Sequence, residues 1–162
     1  MRALLLALLL FNATVQAHSQ AAELLPGETP IDMIYRLLDA TLPTFMDQAF
    51  DTDGTGHPNA QLLFAVRSPP NSPNAEFLWV NQISRDADGQ FRGLLITGSA
   101  TNPNLPAGTP ITVSEVALAD WGFVAPDGRH WGYISARAQA IAQDNPEFLA
   151  TLMPDILPPD WK

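Results

Sequence analysis

Pro126-Asp127-Gly128 stands between two short runs rich in aromatic and β-branched residues, Trp121-Gly122-Phe123-Val124 and Trp131-Gly132-Tyr133-Ile134. Proline presets the first backbone angle of a turn and glycine permits a positive one, so residues 119–135 are expected to form a β-hairpin. A hairpin this rich in aromatics is expected at the centre of a sheet. It holds two of the four tryptophans and one of the three histidines, with Arg137 just beyond. That is more polar and aromatic equipment than packing needs, and it makes the hairpin the first place to look for a site.

The amino terminus follows a different logic. Arg2 supplies a positive charge, Ala3 to Phe11 is an unbroken apolar run, and Val15-Gln16-Ala17 offers the small residues that a signal peptidase requires. The run is about half of the roughly 20 residues needed to span a bilayer, so residues 1–17 read as a secretory leader rather than an anchor. Cleavage after Ala17 starts the mature chain at His18, and a second cut is available after Ala21 or Ala22. A periplasmic or secreted protein with no lasting membrane insertion is expected. The chain has no cysteine, which excludes disulfides, thiol catalysis and thiolate metal sites. Its formal charge of −9 opposes binding to nucleic acid, leaving a protein or a small molecule as the expected partner.

Residues 18–28 read as a flexible lead, and residues 29–162 as a single α+β domain. Thr29, Pro30 and Asp32 carry the cap, first-turn proline and capping-box acid of a helix start. Ile31, Ile34, Tyr35, Leu38 and Leu42 then recur at helical spacing, an apolar stripe expected to lie on the sheet, with a kink or restart at Pro43. The loop 51–59 carries aspartates and glycines, but it has Thr55 and Leu62 where a calcium loop needs an oxygen ligand and a glutamate, so it reads as a plain connection. Strands are expected at 60–67, 76–84, 91–98 and 111–116 before the hairpin, about six in all, in a curved and mostly antiparallel sheet. Short helices follow Ser135, the last capped by Asn145 and started by Pro146, and then an extended tail from Pro158.

Several of these stretches together resemble the YegJ-like family of bacterial proteins, domain of unknown function 2314. The marks are Phe64-Ala65-Val66-Arg67, Glu76-Phe77-Leu78-Trp79-Val80, Gly89 to Leu95, Gly108 before Ile111-Thr112-Val113, Asp120-Trp121 and Gly132 to Arg137. The resemblance spans about residues 62–152. It implies a small α+β domain and brings no established activity.

Asp120-Trp121 is the sharpest pair in the hairpin. The carboxylate can bind a ligand or fix Arg137; alternatively it caps a turn while Trp121 fills the core. Trp79, Trp121 and Trp131, with Tyr133, can line a ligand groove or belong to the core. For catalysis the candidates are Asp120, His130, Ser135 and Arg137, with Asp120 and His130 on facing arms of the hairpin. No nucleophile elbow, phosphate loop or dinucleotide fingerprint is present, so no cofactor is expected and a non-catalytic binding domain leads. A third class is copper, held by the amine and ring of an amino-terminal His18 with His57 or His130. On export, the intact mass of the released protein is expected to begin at His18, or at Ala22 or Glu23 if the second cut is used; a released chain that retains Met1 would overturn the leader.

Overall fold

The computed structural model describes residues 22–68 and 70–161. The leader and His18 lie outside them. Helix α1 (Pro30–Ala49) opens as the sequence dictates: Asp32 N donates to Thr29 Oγ1 at 3.3 Å and Thr29 N donates to Asp32 Oδ2 at 3.0 Å, closing a capping box. Pro43 neither ends nor restarts this helix, which runs continuously for 20 residues. The part of the expected lead that is described, residues 22–28, is fastened to α1. Arg36 donates to Glu28 at 2.7 Å and to the Glu23 carbonyl at 2.9 Å, while Ala22 and Leu24 pack on the core.

Six strands follow: β1 (Ala60–Val66), β2 (Glu76–Arg85), β3 (Gln90–Leu95), β4 (Pro110–Ser114), β5 (Leu118–Val124) and β6 (His130–Gly132). They form one open antiparallel sheet in the order β4-β3-β2-β1-β5-β6. The β5–β6 hairpin exists but does not hold the centre. It forms one edge, and β1 and β2 are central, because β5 returns to pair with β1 on the side that β2 leaves free. The outer side of β6 is covered by the C-terminal segment, where Met153 N donates to the His130 carbonyl and Gly132 N to that of Ile156, each at 2.9 Å.

Strand alternation assigns the two faces of the sheet. Leu62 is paired with Val80 and Trp121 in one row, and these three belong to the buried core with α1. Leu63, paired with Trp79 and Asp120, occupies the next row on the opposite face. Trp121 is the anchor of the α1 side: its ring stacks on Phe45 at 4.6 Å and its Nε1 donates to Thr41 Oγ1 at 3.1 Å. Trp161, from the tail, closes over the same cluster, 5.1 Å from Phe123 and 5.8 Å from Phe45.

α1 meets the core most fully through Met33, Leu37, Thr41, Phe45 and Ala49; of the stripe expected to do so, Ile34, Leu38 and Leu42 pack on the core only in part, and Ile31 and Tyr35 are exposed. At 100° per residue the two sets are neighbouring faces of one helix. The second face is open at its outer edge, where Ile31 is 53% exposed and Tyr35 62%. Phe45→Ala is expected to cost about 3–5 kcal/mol in urea unfolding, the range for a buried aromatic, whereas Tyr35→Ser should stay within about 0.5 kcal/mol of the parent. Similar losses at the two positions would refute the assignment of faces.

Candidate functional site

Asp120 is 0% exposed, yet all the hydrogen-bonding capacity around its carboxylate is met. Oδ1 accepts from Trp121 N at 2.8 Å and Ile134 N at 3.2 Å; Oδ2 accepts from Ser135 N at 2.8 Å and Ser135 Oγ at 2.5 Å. Ile134 and Ser135 are the first residues of helix α2 (Ile134–Ala142). The carboxylate thus caps a helix from a strand 14 residues earlier, satisfying amides that the helix leaves unpaired and facing the positive end of its dipole. Burial pushes the Asp120 carboxyl above its ordinary pKa, against the pull of these four donors.

The corner that delivers α2 to Asp120 is made by two successive left-handed residues, Gly132 (φ 74°) and Tyr133 (φ 52°). A Cβ on Gly132 would come within 2.5 Å of the Trp121 carbonyl, so only glycine fits there. Tyr133 holds its unfavourable backbone by donating its N–H to the Trp121 carbonyl at 2.8 Å and its hydroxyl to Gln61 Oε1 at 2.9 Å. Its ring lies over Gly122, with Trp79 at 4.9 Å and His130 at 5.6 Å. Burial foremost, and then the Asp120 charge, push its pKa up to about 12. The corner also ends β6 at Gly132, so Ser135, expected at the end of a strand, belongs to the first turn of α2.

Arg137 is buried and is not paired with Asp120. Its Nε donates to the Gly132 carbonyl and an Nη to that of Met153, each at 2.7 Å, which ties α2 to β6 and the C-terminal segment. Burial lowers its pKa to about 10, with Asp120 opposing the shift. Asp120 and His130 do not meet across the hairpin. The register pairs His130 with Val124, four residues along β5 from Asp120, a separation of about 13 Å at strand rise. No hydrogen bond joins His130 to Asp120 or Arg137 among the described residues. Of the four catalytic candidates the structure brings Asp120 and Ser135 into direct contact.

The wall of α2 set by Asp120 borders an apolar groove of about 630 Å³. Ile31, Ile34, Tyr35 and Leu38 of α1 form its other wall, and Leu63, Trp79 and Phe77 of the sheet face it. Ser135 and Gln139 are the polar side chains contributed by α2, and among the described residues no charged one lines the groove. Phe77 is 62% exposed. Of the aromatic candidates, Trp79 lines the groove, Tyr133 packs on Trp79 without lining it, and Trp121 and Trp131 are core residues. Ile31, Tyr35, Leu63 and Phe77 were not among the sequence candidates, although the helical stripe from Ile31 to Leu42 contained the signal.

Among the described residues no group of three His, Cys, Asp or Glu side chains could hold a metal. His57 Nδ1 accepts from Asn59 N at 3.1 Å, its ring lies 5.1 Å from Phe123, and His18 is outside the described residues. No described helix is long and apolar enough to cross a membrane. No family model, curated protein or solved structure matches the chain. Asp120→Ala strands the α2 amides in a buried space and is expected to destabilise by about 3 kcal/mol or more, while Ser135→Ala, which removes one donor, should cost about 1 kcal/mol. Equal, small losses in denaturant titrations of the two variants would show that Asp120 does not hold α2.

Proposed function

We propose that this chain is an exported, non-catalytic binding module whose ligand surface is the groove between α1, α2 and the open face of the sheet. The observation that carries the proposal is the pairing of an open apolar groove, edged by the exposed Ile31, Tyr35 and Phe77, with polar side chains already engaged inside the fold. Contiguous exposed apolar surface of this kind is characteristic of interaction sites. Export rests on the leader pattern of residues 1–17, and a periplasmic or secreted location follows from it. The YegJ-like resemblance enters the same proposal on the motifs quoted above and adds no activity to it.

A second reading, a hydrolase, draws on one specific observation: Ser135 lines the groove and its hydroxyl donates to a buried carboxylate. An activated serine needs such a partner, but it also needs donors aimed at a developing oxyanion. The amides of Ile134 and Ser135, nearest to hand, are both spent on Asp120. Binding therefore comes first. A neutral solvatochromic dye such as Nile red is expected to brighten on the folded protein and to lose that signal in Phe77→Asp and Tyr35→Asp, with melting temperatures little changed. Dye binding that survives both substitutions would place the ligand surface elsewhere, and ester hydrolysis abolished by Ser135→Ala would favour the hydrolase.

A further inference from the structure

We infer that the groove takes a cationic amphipathic peptide segment, its apolar side chains seated between α1 and the sheet and its lysines or arginines over the acidic rim. This deepens the binding reading and rests on it. The groove is uncharged inside, but its surroundings are not. Asp32 and Asp39 are exposed on α1 beside Ile31 and Leu38. Beyond α2 a second, shallower depression of about 180 Å³ shares Ala136 and Gln139 with the groove and reaches the exposed Phe148. Asp144 and Glu147, both exposed, are the sequence neighbours of its lining residues Gln143, Asn145 and Phe148.

Among the described residues few cations offset these carboxylates. Arg36, Arg85, Arg92 and Arg129 are each spent on an ion pair, with Glu28, Glu115, Asp86 and Asp127 respectively, and Arg137 is buried against two carbonyls. Arg67, exposed after β1, does not line the groove. A chain of net charge −9 whose described arginines are mostly paired presents uncompensated negative potential around an apolar slot. Complementarity then favours a partner with an apolar face and a basic one. From Ile31 to Leu38 the groove wall is two helical turns, about 10 Å, which suits a short peptide segment rather than a domain.

Three peptides of about 14 residues, with leucine on one helical face and lysine, glutamine or glutamate on the other, separate the contributions of apolar contact and charge. Titrated into the folded chain at low salt, the lysine peptide is expected to bind about tenfold or more tightly than the glutamine peptide and to weaken as salt is raised, with the glutamate peptide weakest. Tyr35→Ser and Phe77→Ser should abolish binding. Asp39→Asn with Asp144→Asn and Glu147→Gln should bring the lysine peptide down to the level of the glutamine one. Equal affinity for lysine and glutamine peptides would overturn the cationic partner while leaving the groove as the site. Lysine-peptide binding that persists in Tyr35→Ser and Phe77→Ser would reduce the effect to diffuse attraction by an acidic surface and overturn the inference. Silence from all three peptides while Nile red still fills the groove would also overturn it, and silence from the dye as well would overturn the binding module itself.

Discussion

The hydrogen bonds converging on Asp120 are the joint on which the arrangement of sheet and helix depends. A carboxylate taken fully out of water costs several kcal/mol unless its lone pairs are met. Here two donors come from the start of α2 in backbone form, a third from the Ser135 hydroxyl and a fourth from the strand itself. Because three of the four belong to α2, the same bonds that offset the cost of burial also fix where that helix begins. Arg137 secures the other side of the helix by bonding the Gly132 and Met153 carbonyls. Between them these two charged side chains, which do not touch as an ion pair, hold one wall of the groove at a defined distance from β1 and β2.

The other wall comes from an unusual use of α1. A helix on a sheet normally has one apolar stripe and one polar face. α1 has two apolar stripes side by side, one closed by Trp121 and its neighbours and the other left facing α2 across the groove. Single exposed apolar residues need no explanation, but Ile31, Tyr35 and Phe77 lie around one depression, where the cost of wetting them together is recovered when something covers them. The groove is thus an extension of the core to the surface, built from residues of the same kind.

Much of the local structure was legible in the sequence because its causes are local. The Thr29 capping box, the Asn145 cap, the Pro126-Asp127-Gly128 turn and the strand alternation each lie within a few residues, and each is present. What escaped was non-local. The hairpin reads as central from its aromatic content, yet strand order depends on where β5 returns, which alternation does not encode. The stripe from Ile31 to Leu42 reads as the buried face because it has more members in sequence, while Met33, Leu37 and Phe45 with Thr41 form an i, i+4 row that packs more closely. Asp120 and Trp121 fit the reading of a cap and a core residue, but the cap serves a helix 14 positions away. Tyr133 in the left-handed region could not be foreseen, because its support comes from Gln61, on a strand 72 positions earlier.

The ring of Tyr133 rests where a side chain at position 122 would be. A Cβ on Gly122 would come within 2.6 Å of that ring. Position 122 is consequently tied to position 133, because a side chain at 122 needs the space that the ring holds. A chain that gained bulk at 122 would have to surrender the aromatic at 133, and with it the Gln61 tether that stabilises the strand-to-helix corner.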